Sequence, residues 1–197
     1  MTLSHRIGAL TQLTLKDPRR AARALLAEAV PMRARTVGLL LVAVLSALLG
    51  SLQVGSNLAG LDPFTRFMLA TPFRAAAFQW LFLAISAVLV YRVGRAFGGR
   101  GSFPDALLVV VWLQLPMLAL QLLQLAVDLV AQPLAGLIGL GALALFVWLM
   151  TSFVAELHGF RSRGKVLVGL LLTALASGLL LGIVMILIFG PEAFADV

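Results

Sequence analysis

The chain has 197 residues, of which 61% are hydrophobic and 12% charged, with a formal net charge of +7, and its mean hydropathy is +1.06. Soluble domains carry about 25% charged residues, so this composition excludes a soluble domain and points to an all-α integral membrane protein. The absence of cysteine excludes disulfides, thiolate nucleophiles and thiolate metal sites. In such a protein positive charge marks cytoplasmic flanks and contacts with anionic headgroups rather than nucleic acid.

Residues 1–35 read as an arginine-rich cytoplasmic arm. Leu3, Ile7, Leu10 and Thr14 recur at helical spacing. Asp17-Pro18 has the form of a helix start, with Asp as N-cap and Pro at the first helical position. Beyond it Ala22, Leu25, Leu26, Ala29 and Val30 fall on one face, while Arg19, Arg20 and Arg23 occupy much of the rest. This pattern predicts a helix lying in the headgroup plane, or one that binds a partner, ending near Pro31. No cleavable signal peptide is apparent, because the first long apolar run starts near Thr36.

Apolar runs at about 36–54, 73–93, 104–130, 133–154 and 166–189 are each long enough to span a bilayer, so a five-helix domain is expected over residues 36–190. After the first, Gly55 to Thr71 contains turn chemistry and then Asp62-Pro63. A short interfacial helix is expected there, with Phe64, Phe67, Met68 and Thr71 on one face. The connector Arg92 to Gly101 is basic and glycine-rich. Ser102 and Asp105 have capping-box spacing at the mouth of the third span.

The third span carries a polar stripe. Gln114, Met117, Gln121, Gln124 and Asp128 fall within about an 80° arc of one helix face. Polar groups facing hydrocarbon are costly, so the stripe should face other helices or a wet cavity. It can act as glue between helices or line a hydrated path, and Pro116 beside it is expected to kink the helix. The fourth span returns as a hairpin, and Gly136, Gly139 and Gly141 near its start permit close backbone approach.

The connector Glu156 to Lys165 is again polar and basic. On the fifth span Gly169, Thr173 and Ser177 form a series of small residues, and Gly178 and Gly182 a GxxxG pair on the adjoining face, both suited to helix packing. Residues 191–197 form a short external tail. Lys and Arg number 7 in the arm, 3 in the 92–101 connector and 3 in the 156–165 connector, against Arg66 and Arg74 alone on the other side. The bias predicts an inside N-terminus and five spans.

No constellation of catalytic groups is present. The two histidines, His5 and His158, lie in the arm and a connector, leaving no base for a membrane-embedded serine nucleophile. Beyond Asp105 at the mouth of the third span, Asp128 is the one acid within a span. Glu156 and His158 sit two residues apart, point to different faces and lack a third ligand, so no metal site is expected. Gly98-Gly99-Arg100-Gly101 lacks the Walker pattern, and its reading is a turn at headgroup level or a contact with lipid phosphate. Arg92, Arg95, Arg161, Arg163 and Lys165 complete the basic connectors that would meet headgroups.

Phe97-Gly98-Gly99-Arg100-Gly101-Ser102-Phe103 before the third span, Pro116 within it, and Ala155-Glu156-Leu157-His158-Gly159-Phe160 leading into Arg161 to Lys165 resemble the Yip domain family (Ypt/Rab-interacting proteins and their bacterial relatives). The Asp17-Pro18 start resembles bacterial members, and the likeness covers about residues 12–190. The resemblance implies five spans and membership of a group linked to vesicle trafficking and organelle organisation whose members often assemble with one another; the lack of a catalytic constellation leads to the expectation of no enzymatic activity and no cofactor. Eukaryotic members are associated with small GTPases, but their longer cytosolic segment is missing here, which weighs against that partner. Membrane lipids, further copies of this chain or other membrane proteins are the expected partners. Abundant Arg and Ala with two lysines point to a bacterial cytoplasmic membrane. The competing expectation is a small transporter, channel or lipid-moving protein that uses the polar stripe.

Overall fold

The computed structural model describes residues 3–54 and 63–189, and every element in them is an α-helix. In chain order these are α1 (Leu3–Lys16), α2 (Pro18–Leu26), α3 (Met32–Val54), α4 (Pro63–Leu69), α5 (Pro72–Ala96), α6 (Phe103–Asp128), α7 (Gln132–His158) and α8 (Arg163–Phe189). Five of them, α3 and α5 to α8, are long and apolar enough to cross a membrane. The protein is an integral, multi-pass, all-α membrane protein. The turn expected from Gly55 to Asp62 and the tail at 191–197 lie outside the described residues.

The helix starts follow local chemistry. Asp17 accepts from the Arg20 amide at 3.1 Å, with Pro18 opening α2. Thr71 accepts from the Arg74 amide at 3.3 Å, with Pro72 opening α5. Ser102 accepts from the Asp105 amide at 3.3 Å and opens α6. Each cap satisfies a backbone donor that the first turn leaves orphaned. The helix α6 continues through Pro116, whose ring is buried, so the chain accommodates the proline without ending the helix.

At the arginine-rich end the helices run further than the apolar stretches do. Arg92 and Arg95 belong to the last turns of α5, Glu156 and His158 to the last turn of α7, and Arg163 and Lys165 to the first turn of α8. The true connectors are Phe97–Ser102 and Gly159–Ser162, shorter than charge alone implied. Backbone hydrogen bonding continues past the apolar run because Arg and Glu are good helix formers.

The helix α6 lies at the centre. Of its most apolar stretch 44% is buried, against 6% for α8, which packs on α7 at the edge. One side of α6 packs with α3, α5 and α7 through Leu39, Val42, Leu83, Val90, Leu107 and Val110. Its other side packs with α2 and α7 through Ala22, Leu25, Val109, Trp112, Leu149 and Phe153. Both clusters lie toward the arginine-rich end, so packing is tight there and looser toward the opposite end.

The arm departs from expectation. Ala21, Ala22 and Leu25 of α2 are buried against α6 and α7, so the apolar face assigned to the headgroup plane covers protein instead. The helix also ends at Leu26 rather than near Pro31, leaving Ala29 exposed. A second tie comes from α1, where the Trp112 indole N–H donates to the Thr14 hydroxyl at 3.0 Å, with Thr14 fully buried. A buried indole N–H needs such a partner, since an unmet donor costs about 1–3 kcal/mol.

Candidate functional site

Two places collect the polar residues: a cap at the arginine-rich end and a cavity in the outer part of the bundle. The cap is built on two matching helix ends. At the end of α5, Gly98 adopts φ +82°, the Gly99 amide donates to the Gly94 carbonyl at 2.8 Å, and that of Gly98 to Arg95 at 3.0 Å. At the end of α7, Gly159 adopts φ +72°, the Phe160 amide donates to Ala155 at 2.8 Å, and that of Gly159 to Glu156 at 3.2 Å. Both are Schellman motifs, which need a residue free to enter the left-handed region.

The two ends meet at His158. Its side chain is 2% exposed, which corrects its reading as part of a polar surface turn. The Gly101 amide donates to Nδ1 at 3.2 Å, and Nε2 lies 3.1 Å from the Val90 carbonyl. An amide donor at Nδ1 places the proton on Nε2, which then donates to Val90. The Arg100 amide donates to the His158 carbonyl at 3.2 Å, and Phe160 stacks on the ring at 5.5 Å between centroids.

Glycine makes this burial possible. A Cβ at Gly94 or Gly99 would overlap the imidazole, and one at Gly101 would stand 2.8 Å from it. Gly94, Gly99 and Gly101 therefore make room for a side chain of this chain, while a Cβ at Gly98 would face open space. Gly94 was the residue most easily missed, since inside a helix it carries no turn signal.

Ion pairs fasten the arm and α3 to the same cap. Arg35, 9% exposed, donates to Asp105 at 3.0 Å and to the Val30 carbonyl at 2.9 Å. The other Asp105 oxygen accepts from the Ser102 hydroxyl at 2.6 Å. Arg23 of α2 pairs with Glu156 at 3.1 Å, and Arg19 donates to the carbonyls of Phe160 and Arg161 at 3.1 and 3.3 Å. Glu156 and His158 thus serve different partners, and no group of three His, Cys, Asp or Glu suited to a metal occurs among the described residues. The side chains of Arg92, Arg95, Arg100, Arg161, Arg163 and Lys165 are exposed around the cap.

The polar stripe of α6 is divided between neighbours. Gln114, Met117 and Gln121 line a cavity of about 290 Å³ with Ser46 and Gly50 of α3 and Gln79 of α5. Gln121 donates to the Ser46 carbonyl at 3.2 Å. Gln124 instead turns toward α7, where its amide nitrogen would lie 3.1 Å from a Cβ at Gly139. Asp128 is half-buried near the end of α6 and does not line the cavity. Neighbouring helices lie on both sides of α6, so an arc that looks continuous in projection serves two interfaces.

Of the glycines expected to permit close approach on α7, Gly139 alone does so; Gly136 and Gly141 face open space. Gly169, Thr173 and Ser177 of α8 line a groove of about 360 Å³ against Leu89 and Val93 of α5. Gly178 and Gly182 meet nothing within 4 Å of a built Cβ, so neither packs against another helix among the described residues. Comparison with protein families finds that the model of the Yip1 domain matches residues 13–186. No curated protein and no solved structure gives a match.

Proposed function

The chain belongs to the Yip1 domain family, and on that premise we propose that it is a non-enzymatic membrane protein that organises membrane lipids or protein partners. The observation that supports this reading is the cap. Its polar groups are engaged with one another: both nitrogens of His158, both oxygens of Asp105, and the guanidinium of Arg35. That leaves no poised base or nucleophile in it. Around it six exposed basic side chains form a fringe, a surface suited to anionic headgroups or acidic partners. We place this end on the cytoplasmic face of a bacterial cytoplasmic membrane, in accord with the bias of basic residues.

A homo-oligomer fits the same reading, because Gly178 and Gly182 remain uncovered on an edge helix. A small GTPase fits less well, since α2 buries its apolar face within the chain. The test is native mass spectrometry of the protein released from its own membranes. Retained anionic lipid, a retained protein, or clean multiples of the 20.9 kDa chain support the proposal. A bare monomer that turns over a small substrate overturns it.

The cavity beside Gln114 and Gln121 favours a second reading, a carrier or lipid-moving protein. Such a protein needs a path, and the cavity takes in neither Gln124 nor Asp128. Flux through liposomes that falls in Gln121→Leu/Gln124→Leu would favour the carrier over the organiser.

A further inference from the structure

The cavity between α3, α5 and α6 holds three carboxamides at membrane depth. At 1.5 Å per residue, Gln114 lies about 16 Å along α6 from its start, and Gln79 about 10 Å along α5 from the opposite end. Gln121 bonds to the Ser46 carbonyl, whereas the side chains of Gln79 and Gln114 make no hydrogen bond among the described residues. Both are half-buried, and an unpartnered amide in an apolar setting costs about 2–7 kcal/mol when fully buried, so a polar ligand that reaches these two gains hydrogen-bonding groups not already spent on the described helices.

The lining also decides the chemistry. Among the described residues no Asp, Glu, Lys, Arg or His contributes to it, so none of them balances a charged ligand, and burying an unpaired charge is far costlier than burying a neutral dipole. Each carboxamide offers both donors and an acceptor. A phosphate or ester oxygen only accepts and an ammonium only donates, whereas a hydroxyl does both. The volume of about 290 Å³ sits at the small end of ligand pockets, which run about 300–1,000 Å³. It suits a headgroup-sized moiety.

We propose that this cavity binds an uncharged, hydroxyl-bearing group, carried by a neutral lipid of the diacylglycerol type or by a free polyol, through Gln79, Gln114 and Gln121. The site is separate from the basic fringe of the cap, and it stands or falls independently of the organising role. Its ligand enters a pocket whose polar contacts are already on rigid helices, so little ordering cost attends binding.

The absence of native cysteine makes the test direct. Ser46→Cys places one thiol in the cavity, and its rate of reaction with a small maleimide is read in phosphatidylcholine nanodiscs. The discs are used alone, doped with diacylglycerol, doped with phosphatidylglycerol, or bathed in glycerol. Labelling slowed severalfold by diacylglycerol supports the proposal with a lipid as the source, and slowing by glycerol alone supports it with a free polyol. Equal slowing by phosphatidylglycerol, no slowing by any addition, or no labelling in any disc overturns it. In Gln79→Leu/Gln114→Leu, checked for helicity and monodispersity, the protection should vanish, and its persistence would overturn the proposal. If that variant does not fold, the four arms on Ser46→Cys decide alone.

Discussion

Gly94 of α5 and His158 of α7 occupy adjoining space that admits no further atom: a Cβ at residue 94 would overlap the imidazole ring. The ring in turn bonds to the Val90 carbonyl one turn earlier on the same helix. This contact joins the ends of two helices that are distant in sequence.

Substituting Gly94→Ala or Gly99→Ala should therefore cost about 1–3 kcal/mol, the range for overpacking a filled interior. Gly136→Ala and Gly141→Ala, at open helical positions, should be neutral or slightly stabilising, because Ala is the better helix former by about 1 kcal/mol. Thermal unfolding in detergent, followed by circular dichroism, gives the comparison. Equal melting temperatures for the two pairs would contradict the cradle.

Replacing His158 by Leu keeps a bulky apolar side chain and removes both ring hydrogen bonds. The Gly101 amide and the Val90 carbonyl then lose their side-chain partner. The Gly101 amide is left unmet while the Val90 carbonyl keeps its bond within α5, so the expected loss is about 1–3 kcal/mol. Hydrogen exchange should rise first in the 97–102 connector and at the end of α7. Uniform change across the bundle would argue against a local hub.

For the pair Arg35–Asp105, the two partners differ in exposure. The Arg35 side chain is 10% exposed and that of Asp105 is 35%. Asp105→Asn leaves the more buried charge without its partner, so it should destabilise by more than Arg35→Met does. Breaking a fully buried pair costs about 3–5 kcal/mol, and the partial exposure of Asp105 lowers the expectation to about 2 kcal/mol. Chemical denaturation of both variants tests the order, and the reverse order would refute it.

Thr14→Val should cost about 1 kcal/mol by leaving the Trp112 indole N–H without its acceptor. Because that bond ties α1 to α6, the variant should be cleaved sooner within α1 under limited proteolysis, while the five spanning helices stay intact. An unchanged cleavage pattern would mean that α1 is held by its apolar contacts alone.

On α8, Gly178→Leu/Gly182→Leu should leave the folded monomer as stable as before, since both positions are open within the chain. If that face joins copies of the protein, the substitutions should lower the oligomer mass. An unchanged mass and stability would show that it is not an interface.

Much of the architecture was legible in the sequence. The apolar runs mark five spanning helices because a bilayer demands long uninterrupted hydrophobic segments, and Asp17 and Ser102 mark starts because capping is a contact over three residues; Thr71, expected on a face of the short helix, instead caps α5. The paired motifs around Gly98 and His158 were also visible, though as separate turns. The arm was read less well: an amphipathic face shows that something apolar covers it, but not whether lipid or protein does. The same limit applied to Gln124: the stripe implied another helix or a cavity beside it, but not that the neighbour would be α7.

By itself, then, the sequence determined the class, the spans and the family, because hydropathy, capping and charge bias are local properties of the chain. Tertiary structure alone decided what the glycines and the histidine are for. His158 bonds to Gly101 across 57 residues and to Val90 across 68, and neither distance leaves a periodic trace. It also divided the glutamines between two interfaces. Which face of a central helix meets which neighbour depends on how all its neighbours pack, and that is settled only when they are in place.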